Sequence, residues 1–428
     1  MDDRAAVAWL HRRAGWGLAP GQLDAEVARG VDGALDALVD PDAAGVPPAP
    51  DPWAALDPVA VPDRSSPEYR TAVRAVVASW LAAFVTTPRP LEERVRWLWH
   101  GHFVTGLAEV QAPALVVDQL RMLGRLGLGD VPTLLRAVTV DPAMLRYLDG
   151  ATNQVGAINE NYGRELLELF ALGIGSYDED DVRAASVALS GWVVTPGTGT
   201  SRFVPRRHDD TPQRLLGVEG VHDVDSVVAA VVDHPACARH LTRAVATELL
   251  GSVDDATLDA LSVGLVADGL QLRPLVRAVL EAGLDGAGGP VVLAPVPWFV
   301  QVLRALGLTV ADVVDGREGE QLLRSAGQIP MFPPNVGGWP GGRAWLSTSV
   351  TLARTNLAAL AAHAAPPDGP ARAAAAAGDP AALADALARP EGFSAETADA
   401  LRTAARADRS GGADTLAVAL ASADLVLA

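Results

Sequence analysis

The chain contains no lysine: all 34 of its Lys and Arg positions are arginine. That absence removes whole classes of chemistry. No Schiff-base lysine exists for pyridoxal phosphate or aldolase work. Neither a P-loop lysine nor the phosphate-pairing lysine of a kinase can be present. Arginine-only usage fits a GC-rich coding bias. Cysteine is almost as scarce. The single Cys237 cannot close an internal disulfide, and it cannot build a zinc-finger or iron–sulfur site. It follows His234–Pro235–Ala236 near a helix start, a place that can lower a thiol pKa; the other reading is a small buried apolar residue. Long apolar runs are missing too. The longest, near Ala75–Val85, falls short of the roughly 18 residues a membrane helix needs. The start, Met1–Asp2–Asp3–Arg4, is acidic and leads into an amphipathic helix, unlike a secretory signal. The expected location is the cytoplasm. The motifs His-Glu-x-x-His, Gly-x-Ser-x-Gly and Gly-x-Gly-x-x-Gly are all absent, and Ser190–Gly191 reads as a helix end rather than a nucleophile elbow.

Apolar residues make up 49% of the 428 residues, so the chain can bury a sizeable core. The formal net charge of −18 repels phosphate backbones and anionic lipid, so neither nucleic acid nor a membrane surface is an expected partner. The local basic run at Arg202, Arg206 and Arg207 works against that field.

Helical periodicity dominates. Ser66–Pro67–Glu68 is a helix start with a capping serine and proline at the first position, and the helix should run to about Val85, before Thr86–Thr87–Pro88. A second follows Pro90. Further helices are predicted at about 110–124, 131–140, 159–172, 178–190, 225–232, 236–250, 255–267, 272–281 and 296–306, punctuated by Gly, Pro and Asp. Strand signal is confined to Trp192–Thr195 and Arg202–Val204, which flank Pro196–Gly197 as a hairpin. Residues 40–65 and 327–345 read as long loops, the second rich in glycine, proline and tryptophan. The expected fold is all-α, mainly helical with one small β-hairpin insertion. Residues 1–363 form one helical domain, and the alanine-rich helices of 364–428 pack on it.

The most distinctive stretch is Asn159–Glu160–Asn161–Tyr162–Gly163–Arg164–Glu165–Leu166. At about 100° per residue, Arg164, Glu168, Asn161 and Glu165 fall near 40°, 80°, 100° and 140° from Glu160. Tyr162, Leu166, Leu167, Leu169 and Phe170 take the opposite arc. Two readings stand. Glu160, Arg164 and Glu168 can be a solvated face whose pairs contribute roughly a few tenths of a kcal/mol each. Carboxylates around one arginine can also hold divergent pKa values, as acid–base sites need.

Other clusters open the same choice. The histidines of Trp99–His100–Gly101–His102–Phe103 can face a site or a metal, or simply suit a helix C-terminus. His208–Asp209 is a histidine beside a carboxylate, the usual device for fixing a tautomer, or a polar loop. Asp149–Gly150 can join the cleft or cap a turn. Trp192 and Trp339 can line a groove or pack the core.

Taken in order, several segments resemble the large bacterial family known as domain of unknown function 1800. They are Leu10–Gly17, Trp99–Phe103, Asp141–Asp149, Asn159–Leu169, Leu172–Gly173, Tyr177, Asp181–Val182, Gly191–Trp192, His208–Asp209, His234–Ala236, Pro334–Pro340 and Ala421–Leu425. The resemblance covers nearly the whole chain. It implies a largely helical protein, and a sulfatase-like protein as a partner, because many members are encoded beside one. Many members are exported, whereas this chain shows no export signal. It also carries arginine or glutamine where the family usually has lysine after the His-Asp pair.

Two hypotheses follow. In the first, the chain is an enzyme acting on a polar substrate by hydrolysis or transfer. Glu160, Glu165, His208 and Asp209 would handle protons and Arg164 would clamp an anion, while His102, Asn161, Trp192 and Trp339 would bind. In the second, the polar motif is a buried structural network in a non-catalytic scaffold or binding module.

Overall fold

Aspartate and proline set most of the helix starts. The computed structural model describes residues 1–56, 67–195, 198–313 and 316–428, the side chains of 316–320 excepted. Asp130, Asp141, Asp178, Asp223 and Asp254 each accept a hydrogen bond from a first-turn amide, satisfying a donor that the helix itself leaves free. They open Val131–Thr139, Pro142–Tyr147, Glu179–Ala188, Val224–Asp233 and Asp255–Ala267. Proline occupies the first position of Pro67–Thr86, Pro90–His102, Pro113–Leu126, Pro235–Leu250 and Pro295–Leu306, where its missing N–H costs nothing. These spans agree with the sequence reading to within a few residues, except Pro142–Tyr147, a short helix that was not anticipated. The capping role expected of Ser66, and residues 57–65 of the expected loop, lie outside the described residues.

The protein is mainly helical. Strands β1 (Trp192–Val194) and β2 (Ser201–Phe203) pair antiparallel, with Trp192 opposite Phe203 and Val194 opposite Ser201. The Pro196–Gly197 turn expected between them lies outside the described residues. A second hairpin was not anticipated: β3 (Gln213–Leu215) pairs with β4 (Val218–Val221) through the two-residue turn Leu216–Gly217. Among the described residues no helix is long and apolar enough to cross a membrane.

The core centres on aromatic rings that bring distant segments together. Trp16 stacks on Phe84 at 4.2 Å between centroids, and Trp97 stacks on Trp339 at 5.2 Å. The glycine- and proline-rich loop is therefore anchored in the core through Trp339. The C-terminal helices share this core. Thr348–Ala364 packs on Ala413–Ala421, and the buried Trp298 donates its Nε1–H to the Leu420 carbonyl at 3.1 Å.

The polar stretch departs from a uniform wheel. Asn161–Glu165 is α-helical, and Leu166–Ala171 is wound as a π-helix. The Leu172 N–H reaches back to the Leu167 carbonyl at 3.1 Å, spanning five residues. Glu160 precedes the helix rather than riding on it. The helix begins tight against its neighbour: a Cβ on Gly163 would run into Ser186 Oγ and lie 3.1 Å from the Val182 carbonyl.

Candidate functional site

The residues singled out in the sequence occupy three places. At the first, Arg164 donates from Nη1 and Nη2 to the two carboxylate oxygens of Glu179, each at 2.7 Å. Glu160 stands 3.8 Å from the same guanidinium. Burial and the nearby Glu168 raise the Glu165 carboxyl above its usual range. Asn161 is exposed and donates to the Leu148 carbonyl at 3.3 Å.

The second place is the first hairpin. His208 Nδ1–H donates to the Ser190 carbonyl at 2.9 Å, while Asp209 accepts from the Thr211 amide and hydroxyl. The Thr211 bonds hold the Asp209 carboxyl low. The imidazole is thus oriented by Ser190 and not by Asp209. Trp192 packs on Phe203, whose ring lies 5.2 Å from that of His208. Asn153 ties these two places together. Its amide donates to the Ser186 carbonyl, its side-chain oxygen accepts from Asn159 N–H, and its carbonyl accepts from Gly191 N–H.

His102 and Trp339 belong to the third place, a cavity of about 460 Å³ between Pro90–His102 and Pro235–Leu250. The first helix contributes Arg94, Trp97, Leu98, Gly101 and His102, and the second His240, Arg243, Ala244, Thr247 and Glu248. Both sets follow the same spacing, i, i+3, i+4, i+7, i+8, which places five residues on one helix face. The helices run in opposite directions, so the ends of the two stripes meet. Arg94 Nε lies 2.9 Å from Glu248 Oε1. The rings of His102 and His240 lie 5.5 Å apart. Eight residues at about 1.5 Å each separate the two ends by about 12 Å along each helix.

The π turn fixes both imidazoles. His102 Nε2–H donates to the Phe170 carbonyl and His240 Nε2–H to the Leu169 carbonyl, each at 2.8 Å. A carbonyl only accepts, so each ring carries its proton on Nε2 and leaves Nδ1 as the basic nitrogen. Burial lowers His102 to about 4, with His240 adding to the effect and the Phe170 carbonyl opposing it. Burial likewise lowers His240. Both are neutral near pH 7. At the other end, burial raises the Glu248 carboxyl against the pull of Arg94.

One wall is aromatic: Trp97, Trp339 and Trp345. It depends on His100, the neighbour that points the other way. His100 is fully buried and accepts the Met331 N–H at Nε2, 3.1 Å away, while the Met331 carbonyl accepts from Leu107 N–H at 2.9 Å. This pins the loop that carries Trp339. Gly338, at φ +78°, passes so close to the Gly101 carbonyl that a Cβ would collide with it.

The sequence reading passed over Arg94, His240, Arg243 and Glu248. The signal was available as two stripes of identical spacing, each with a polar residue at both ends, on segments read simply as helices. Cys237 is buried, with its thiol pushed up to about 12 by burial, and is inert at neutral pH. Among the described residues, no three His, Cys, Asp or Glu side chains converge on a position for a metal ion.

No curated protein and no solved structure matches the chain. Residues 9–427 match the family described as "Protein of unknown function (DUF1800)". With that match spanning almost the entire sequence, the chain belongs to this family.

Proposed function

We propose that the chain is an enzyme that works by acid–base chemistry on a polar substrate in this cavity, by hydrolysis or group transfer. The observation that carries the reading is the pairing of Arg94–Glu248 at one end of the cavity with His102–His240 at the other. The environments push the two ends in opposite directions. Burial raises the Glu248 carboxyl, against the pull of Arg94, and lowers the His102 imidazole, and environments that push two groups apart in this way suit acid and base roles. In this reading the Glu248 carboxylate takes up and returns a proton at one end while His102 Nδ1 accepts one at the other, with His240 beside it across the dyad. Trp97, Trp339 and Trp345 supply flat apolar surface. In this reading the Arg164–Glu179 and Ser190–His208 contacts brace the frame around the π turn.

The test is a turnover screen of purified protein across activated esters, phosphate and sulfate esters, glycosides and peptides. His102→Gln and Glu248→Gln should each lower kcat by about a hundredfold or more on any substrate found, the range general acid–base catalysis supplies. Turnover unaffected by both would overturn the reading. An equal loss in Arg164→Gln and His208→Gln, with His102→Gln active, would move the chemistry to the Glu160–Arg164 network.

A further inference from the structure

The cavity also has a wall made of backbone. Residues 291–294 line it, and one edge of this segment is paired with the C-terminal tail. Val291 N–H donates to the Ala428 carbonyl at 3.1 Å, and Ala428 N–H returns the bond at 3.0 Å. Leu293 N–H donates to the Val426 carbonyl at 2.9 Å. Val292 stands opposite Leu427 as the non-hydrogen-bonded pair between them, so its own N–H and C=O turn to the other edge. Among the described residues neither group has a hydrogen-bond partner. A backbone donor and acceptor left free side by side is the pairing unit by which a sheet edge accepts another strand.

The charges in the cavity add a second requirement. Arg94 is 3% exposed, and its Nη1 has no acceptor among the described residues. Among the described residues Arg243 has only a 3.8 Å contact to Asp255, a carboxylate that Arg239 already holds at 2.7 Å. Glu248 is the one carboxylate among the described lining residues. In a chain of net charge −18, a cavity with two arginines against one carboxylate favours an anion.

We propose that the ligand of this cavity is an extended peptide, bound as an added strand on Val292 with a carboxylate facing Arg94 and Arg243. This names the substrate class of the proposed enzyme and rests on the cavity being its substrate site. A simple organic acid would use the arginines and leave Val292 unpaired. A peptide uses both, and the tryptophan wall takes one of its side chains.

The experiment is equilibrium dialysis of the full chain against a mixed hexapeptide library, once with free and once with amidated C-termini, read by mass spectrometry. The wild type should enrich a subset of peptides. Val292→Pro removes the free N–H without breaking a hydrogen bond that this N–H makes in the protein, and should weaken the retained peptides roughly tenfold, the loss of about one well-made hydrogen bond. Arg243→Gln, at a half-exposed position, should weaken them roughly fivefold. Thermal unfolding midpoints near wild type show that both variants fold. Retention lost on amidation identifies the carboxylate as the C-terminus; retention of amidated peptides only when they carry Asp or Glu identifies it as a side chain. No enrichment by the wild type, unchanged binding in Val292→Pro, or equal retention of uncharged amidated peptides would overturn the proposal. Peptides bound but never turned over would leave it standing and sink the enzyme reading. Turnover of a non-peptide substrate with no peptide retained would do the reverse.

Discussion

His102 and His240 donate to consecutive carbonyls, Phe170 and Leu169, of one π turn. Two helices far apart in sequence are thereby keyed to the same short segment, and both imidazoles are locked in the same tautomer. Leu169 and Phe170 lie in the last turn of this π-helix, where carbonyls have no partner within the helix and are free to accept from outside it. The widened turn that unsettles the helical wheel is also the part that orients the cavity's histidines.

The Arg94–Glu248 pair gives a stability prediction. Arg94 is buried and Glu248 about one quarter exposed, so removing the carboxylate strands a guanidinium. Glu248→Ala should destabilise the protein by about 2–4 kcal/mol, somewhat below or within the range for breaking a buried pair. Arg94→Met combined with Glu248→Ala should cost less than the sum of the two single changes. Urea unfolding of the four proteins measures the coupling; strict additivity would rule out the ion pair as the cause.

Gly163 presses the start of the polar helix against Ser186. Gly163→Ala should therefore cost about 1–3 kcal/mol, as overpacking usually does. Adding Ser186→Ala removes the colliding hydroxyl and should recover part of that loss. If Gly163→Ala is neutral or stabilising by denaturant unfolding, the close approach is not what fixes glycine here.

Asp141 caps Pro142–Tyr147 from a buried position, and burial raises its carboxyl to about 7. The ordinary carboxyl value is 3.8, so between these limits the folded protein holds a proton that the unfolded chain has released. The Asp141 contribution is full below about pH 3.8 and is lost as pH rises through about 7. Asn caps nearly as well, so Asp141→Asn should gain stability relative to wild type steadily from pH 4 to pH 7. Unfolding free energies measured across that range check the sign; a constant difference would remove Asp141 as the titrating group.

The Trp339 wall depends on Gly338. Gly338→Ala combines a positive φ with a collision at Gly101 and should displace the loop. The stacked Trp97–Trp339 pair would separate, shifting tryptophan emission to longer wavelength in the folded state. Emission identical to wild type would show that the loop tolerates a Cβ.

Much of the helical frame is readable because its signals are local. Asp130, Asp178 and Asp254 cap their own helices, and Pro90, Pro235 and Pro295 start theirs, so spacing alone places these elements. The β3–β4 hairpin escaped because its turn lacks the usual residues. Leu216 sits at φ 52° beside Gly217 at φ 83°, where asparagine or glycine is the common choice. The bond from Leu216 N–H to Asp181 at 2.7 Å holds a conformation that leucine rarely adopts alone.

The site was only partly legible for a related reason. His102 and Trp339 stand in conspicuous motifs, whereas His240 and Glu248 are single polar letters in an ordinary amphipathic helix. Their meaning comes from a partner stripe about 150 positions earlier, and only the antiparallel packing brings the two into register. Glu160 and Arg164 were conspicuous for density of charge. Their contacts are satisfied mainly by Glu179, a neighbour the wheel could not include.

The pairing of Val291 and Leu293 with Val426 and Ala428 has a consequence in time. Arg13, from the first helix, also donates to the Ala428 carbonyl at 2.5 Å, so the cavity's backbone wall is braced by segments from opposite ends of the sequence. On the ribosome, residues 90–102 and 235–250 can dock as soon as both have emerged, but that wall lacks its supporting strand until residues 426–428 follow. The edge on which the proposed ligand would pair is thus in place only once residues 426–428 have docked on it.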